Sequence, residues 1–176
     1  AQVAMVWVPF MCILYMLGAF AIIVINLAQL PAVIALVFKS AFTPTAATGG
    51  FAGVGIMMAM RYGIARGVFS NEAGLGSAPI AHATATTDHP VRQGLWGVFE
   101  VFFDTIVMCT ATALVIMLTG VWNNGESGAV LTISGFNAVF GGKVGTGLVT
   151  FCMILPAYDT LLAWCFYGET CTAYLL

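Results

Sequence analysis

The stretch MVWVPFMCILYMLGAFAIIVINLAQL, residues 5–30, contains no Asp, Glu, Lys or Arg. A hydrocarbon core about 30 Å thick needs roughly 20 apolar residues in helix, so this run is long enough to cross a bilayer. Pro31 closes it, and Pro9 lies near its start, where proline is tolerated. Composition points the same way: 61% of the residues are hydrophobic, 7% are charged, and mean hydropathy is +1.01. A soluble domain would be about a quarter charged.

Further runs follow. LWGVFEVFFDTIVMCTATALVIML, residues 95–118, is about 36 Å long as a helix and spans despite two carboxylates. VGTGLVTFCMILPAYDTLLAWCFYGE, residues 144–169, gives another span, and a run beginning near Gly50 gives a second that is interrupted. Residues 31–50, with Lys39 and Pro44, read as an interfacial helix and loop. Residues 119–143 read as a loop with one short amphipathic helix. The expectation is an all-α integral membrane protein, one bundle of about four transmembrane helices with the second broken. Lys39, Arg92 and Lys143 fall one to each loop, so the positive-inside rule has nothing to weigh.

Several classes of function are excluded. A net charge of −2, from 5 basic and 7 acidic residues, offers no basic surface for nucleic acid. The cysteines Cys12, Cys109, Cys152, Cys165 and Cys171 show no CxxC spacing and read as small apolar residues without disulfide or metal. His82 and His89 read as polar residues near the membrane surface, since no metal-ligand spacing joins them. No nucleophile and base are paired, and GLGSAP lacks the lysine and preceding strand of a phosphate loop, so an enzyme is not expected. The chain starts inside an apolar run and stops without a polar tail, which reads as a piece of a longer membrane protein.

The interrupted span carries the chemistry. RGVFSNEAGLGSAP packs Ser70, Asn71, Gly74, Gly76, Ser77 and Pro79 into ten positions, a composition that unwinds or kinks a helix. Non-helical backbone at membrane depth survives only beside protein or a water-filled cavity. A break there brings free N–H groups and free carbonyls to mid-membrane, where transporters hold an amino-acid carboxylate and its coupled cations. The alternative is an ordinary loop between two spans. What favours a broken helix is IAHATATTDHPVRQG, which reads as more helix-like than a connection. Arg66 and Glu72 lie close enough to pair across the break, holding its shape or touching the transported species.

Other polar groups sit in the spans. Glu100 and Asp104, four apart, share a face and fit either a proton relay or cation site or hydrogen bonding to neighbouring helices. Thr105, Thr110 and Thr112 let helices approach closely. In LPAYDT, Asp159 is expected deep in the membrane near Pro156, where oxygen ligands suit a hard cation; the alternative is a solvated Asp at a helix end, which the following LLAWCFY disfavours.

Three stretches, GIARGVFSNEAGLGSAPIAHATA, PVRQGLWGVFEVFFDTIVMCTATALVIMLTG and WCFYGETCTAYL, resemble the sodium:alanine (alanine or glycine:cation) symporter family along essentially the whole chain. The resemblance implies a leucine-transporter-type fold, ten core helices in two inverted repeats with helices one and six broken. This chain, residues 1–176, then corresponds to helices five to eight as a single transmembrane domain fragment, and the break falls in helix six. It implies that Ser70, Asn71, Gly74 and Gly76 contact the substrate. Where the family usually has Ala-Phe-Ser/Thr-Thr in a sodium-coordinating helix eight, this chain has Ala157, Tyr158, Asp159 and Thr160. Asp159 and Thr160 are therefore expected as sodium ligands, with a carboxylate in place of the first hydroxyl.

The function implied is sodium-coupled symport of small neutral amino acids, alanine or glycine, across a bacterial plasma membrane. No cofactor is implied beyond sodium as the coupling ion. The partners are the amino acid, sodium, the lipid bilayer and the remaining helices of the full-length transporter. Two alternatives stay open: a proton-coupled transporter using Asp159 or Glu100 and Asp104, and a non-transporting membrane subunit whose polar residues only pack.

Overall fold

The computed structural model describes residues 2–42, 65, 68, 71, 72 and 74–176. Most of the described residues are helical, and none forms a strand. In chain order they form α1 (Gln2–Ile25), α2 (Leu30–Phe42), α3 (Ala78–His82), α4 (Pro90–Phe102), a π-helical turn (Phe103–Met108), α5 (Cys109–Leu118), α6 (Gly128–Phe140) and α7 (Gly142–Leu175). Short 3-10 turns at Leu27–Gln29 and Val121–Asn123 precede α2 and α6. Three stretches are long and apolar enough to cross a membrane: Val6–Ile25, Pro90–Leu118 and Gly142–Leu175. They match the first, third and fourth expected spans. The start of the second, near Gly50, lies outside the described residues.

The chain divides into two units, one of residues 1–30 and 108–176, the other of residues 31–107. The first holds a core to which each of its long helices contributes. Ala19 and Ile22 of α1, Ala111 and Val115 of α5, Phe136 of α6 and Val149 of α7 are buried together. Phe136, Ile22, Val115 and Val149 are wholly enclosed. Glycines set the spacing, as expected where helices pack without a hydrophobic driving force between them. A Cβ on Gly18 would stand 3.0 Å from the Phe136 ring, and one on Gly135 would stand 3.2 Å from Val115. The Tyr15 ring completes the contact, 5.4 Å from Phe136 between centroids.

Two sets of polar contacts tie the helices of this unit. Thr112 donates its hydroxyl proton to the Met108 carbonyl at 2.9 Å. Its oxygen lies 2.7 Å from the Tyr15 hydroxyl, so Tyr15 must be the donor there. At the turn between α6 and α7, Gly141 has φ +82° and its N–H reaches the Asn137 carbonyl at 3.0 Å. The Asn137 amide and Thr146 hydroxyl then bond reciprocally at 3.0 and 3.2 Å.

Residues 119–143 hold the short helix expected there, α6, but it takes more of the stretch than the loop does, and its Thr132, Gly135 and Phe136 are buried in the unit. At 13 residues, about 20 Å, α6 is too short to span, yet its apolar residues pack inward. The outer faces of the long helices remain apolar, with Leu17, Phe20 and Ile154 each 62% exposed, as suits surfaces that meet lipid.

The second unit contains α3, α4 and all of α2 except Leu30. Residues 31–50 keep the expected helix, as α2; positions 43–50 lie outside the described residues. The third span starts at Pro90, five residues before the expected Leu95. His89 explains the early start: its extended backbone and ring Nδ1, accepting from the Val91 N–H at 3.2 Å, cap the helix. Pro90 then fits the first turn, where no intrahelical donor is needed. The ion pair of Asp88 and Arg92, 2.8 Å, sits on the surface of that turn.

Candidate functional site

The interruption that the sequence places at residues 70–79 is present in the second unit. Asn71 is helical, and the backbone then turns left-handed at Glu72 (φ +52°), Gly74 (φ +79°) and Gly76 (φ +82°). A left-handed non-glycine residue costs about 1–2 kcal/mol. Glu72 bears that cost, and two features hold it. Its carbonyl accepts from the Leu75 N–H at 3.2 Å, and its carboxylate accepts from the Ser77 hydroxyl at 2.7 Å. Open space surrounds Gly74 and Gly76, so these positions require glycine for their dihedrals and not for room.

After the break only one short helix forms. IAHATATTDHPVRQG does not continue as a long helical half: α3 ends at His82, and residues 83–89 are turns and bends. Five residues are about 7.5 Å. The Thr84 hydroxyl takes the Ala81 carbonyl at 2.8 Å, and Thr87 bonds the His89 carbonyl at 3.2 Å, local alternatives to the helix ladder. The His82 ring ties α3 to α4. One nitrogen meets Gln93 at 2.8 Å, the other lies 3.8 Å from the Glu100 carboxylate, and the ring rests against Gly97.

Asn71 is the best-defined member of the site. Its Nδ2 donates to the Thr105 hydroxyl at 2.8 Å. Its Oδ1 is shielded from solvent and has no hydrogen-bond partner among the described residues. Thr105 belongs to the π-helical turn, which the sequence did not indicate. Single π turns recur at functional sites because they re-aim side chains within a helix. Composition carries no signal for it, since FDTIVM reads equally well as α-helix.

Asp159 and Thr160 lie in α7 of the first unit, just past Pro156, through which the helix continues. Asp159 is half-buried and Thr160 exposed, as consecutive helical positions about 100° apart allow. Asn71, Gly74 and Gly76 thus share one short segment of one unit, while Asp159 and Thr160 belong to the other. Ser70 and Arg66 lie outside the described residues, as does the expected pairing of Arg66 with Glu72.

The described residues, with three helices long and apolar enough to cross a membrane and no strand, fit an all-helical membrane protein. The chain belongs to the sodium:alanine symporter family, whose family model matches residues 1–176. It is 48% identical, over its whole length, to an uncharacterized transporter of Haemophilus influenzae. It is 43% identical over 96% of its length to the sodium/alanine symporter AgcS of Methanococcus maripaludis. A putative sodium/proton-dependent alanine carrier protein, YrbD of Bacillus subtilis, is 40% identical over 99% of the chain. The chain spans 39%, 37% and 38% of these relatives' own lengths. No solved structure matches it significantly.

Proposed function

We propose that this chain is part of a sodium-coupled symporter of small neutral amino acids, alanine or glycine, in a bacterial plasma membrane. In this reading it supplies helices five to eight of a leucine-transporter-type bundle, and the remaining helices of the full-length transporter complete both sites. The observation that carries the reading is Asn71: a shielded acceptor without a partner among the described residues, beside backbone that turns left-handed at Glu72, Gly74 and Gly76. Ser70, Asn71, Gly74 and Gly76 offer side chains and freed backbone groups to the amino acid. Asp159 and Thr160 offer hard oxygen ligands to sodium. The name of the AgcS relative supports sodium and alanine as the pair.

A second reading, proton coupling, is favoured by one observation. Asp159 places a carboxylate half-buried in a long apolar helix, and the YrbD relative's name includes protons. The test is labelled alanine uptake by the full-length protein in proteoliposomes, with inward sodium and proton gradients imposed separately. Uptake driven by sodium alone supports the first reading. Uptake driven only by protons replaces it with the second.

A further inference from the structure

We propose that His82 is a proton-sensitive latch. It holds the short helix after the left-handed stretch against the third span, and it grips more tightly when its ring takes up a second proton. The latch lies within residues 78–100 of the second unit and works whatever the protein carries.

His82 ends α3, which begins at Ala78, two residues after Gly76. Its ring lies on α4: Nδ1 is 2.8 Å from Gln93 Nε2, and Nε2 is 3.8 Å from Glu100 Oε2. A Cβ on Gly97 would stand 3.4 Å from Nε2, so glycine there leaves the ring its seat. Among the described residues no other side-chain hydrogen bond or ion pair joins α3 to α4. The charged groups around it are accounted for. Glu100 faces the ring, Asp88 and Arg92 pair with each other, and Asp104 stands four positions beyond Glu100. His89 caps Val91, and Glu72 takes the Ser77 hydroxyl. The His82 side chain is 31% exposed, so water brings protons to it.

A neutral imidazole has one N–H donor and one acceptor nitrogen. A bare Nε2 would set acceptor against the Glu100 carboxylate, so the proton belongs on Nε2, and Nδ1 accepts from the Gln93 amide nitrogen. A second proton makes Nδ1 a donor. A glutamine amide carries N–H groups on one side and oxygen on the other, so a half-turn of Gln93 presents the oxygen instead. The bond then survives without backbone movement and gains a charged donor, which makes it roughly twice as strong. The Glu100 contact becomes an ion pair, but its carboxylate is 73% exposed and adds little. Gln93 therefore supplies most of the tightening. Histidine is the side chain whose ordinary charge change falls between pH 5 and 8, which makes the latch responsive near neutrality.

The experiment is hydrogen–deuterium exchange of the full-length protein at pH 5.5 and 7.5, with each rate corrected for the intrinsic effect of pH. The amides of Ala83, Thr84 and Ala85, which donate to the Pro79, Ala81 and His82 carbonyls, report the hold on α3. In wild type they are expected to exchange about fivefold more slowly at pH 5.5, the scale of a neutral hydrogen bond becoming charge-assisted. His82→Gln keeps a hydrogen-bonding side chain that does not titrate, and should protect the segment equally at both pH values. His82→Ala should exchange faster at both. Wild-type rates that do not differ between the two pH values overturn the proposal. So does a His82→Gln variant that keeps the wild-type response, since the titrating group is then another residue. Exchange in His82→Ala no faster than in wild type means that the ring holds nothing. Should His82→Ala fail to fold, wild type and His82→Gln decide the matter.

Discussion

Asn71 and Thr105, 34 positions apart in the chain, meet through a 2.8 Å hydrogen bond that joins the helix break to the π-helical turn. Two departures from α-helical regularity are therefore held to each other. Irregular backbone of this kind persists where surrounding contacts over-determine it, and it concentrates at functional sites. Asn71→Ala removes both the bond and the shielded oxygen, and is expected to abolish alanine uptake by the full-length protein while its expression and monodispersity persist.

Gly74 and Gly76 test whether the break depends on left-handed backbone. Both have open space at the Cβ position, so Gly→Ala adds no clash and acts through φ alone. Each substitution should lower stability by about 1–2 kcal/mol. Thermal melts of the single and double variants check this, with the double variant clearly the least stable.

Gly145 and Gly147 lie two residues apart in α7 and should behave oppositely. A Cβ on Gly145 would overlap the Asn137 side chain and stand 2.7 Å from the Asn137 amide nitrogen, which is backbone and cannot swing aside. Gly145→Ala is expected to destabilise by about 1–3 kcal/mol or more. Gly147 faces open space, so Gly147→Ala should be neutral or stabilising by up to about 1 kcal/mol. Equal effects in a melt would contradict the α6–α7 packing.

The Tyr15 and Thr112 hydroxyls provide a coupling measurement inside the first unit. A double-mutant cycle with Tyr15→Phe and Thr112→Val should return a coupling energy near 0.6 kcal/mol, the average for interhelical hydrogen bonds in membranes. Zero coupling would mean that the two hydroxyls do not pair in the bilayer.

Asp159 separates charge from coordination at the expected cation site. Asp159→Ser keeps an oxygen ligand and should leave sodium-driven uptake in place with a raised sodium half-saturation. Asp159→Leu removes the ligand and should abolish it. Sodium-driven uptake that persists unchanged in Asp159→Leu would exclude Asp159 from the ion site.

The long spans were legible because length and missing charge settle them locally: nothing in residues 6–25 permits an alternative to a buried or lipid-facing helix, although the chain leaves the helix at Asn26, before the expected end at Leu30. The left-handed backbone at Glu72, Gly74 and Gly76 was legible for a similar reason, since glycine acts on its own backbone. The role of α6 was not. Asn124, Gly125, Glu126 and Ser127 gave the whole stretch a polar appearance, and only tertiary packing shows Phe136 at the centre of a core. Residues 83–89 misled in the other direction, because Ala83 and Ala85 favour helix while Thr84 and Thr87 redirect backbone hydrogen bonds. The π turn left no trace in composition; it is a register shift, found through its hydrogen bonding. His89 looked like a surface histidine and is a helix cap.

The central claim is that the helix break around Asn71 binds the transported amino acid together with sodium. Calorimetric titration of alanine into the purified full-length protein, in sodium chloride and then in choline chloride, tests it most directly when repeated with Asn71→Ala. Wild type is expected to bind in sodium only, and Asn71→Ala to bind at least about tenfold more weakly, a loss of about 1.4 kcal/mol or more. Equal affinity in choline, or an unchanged affinity in Asn71→Ala, would contradict it.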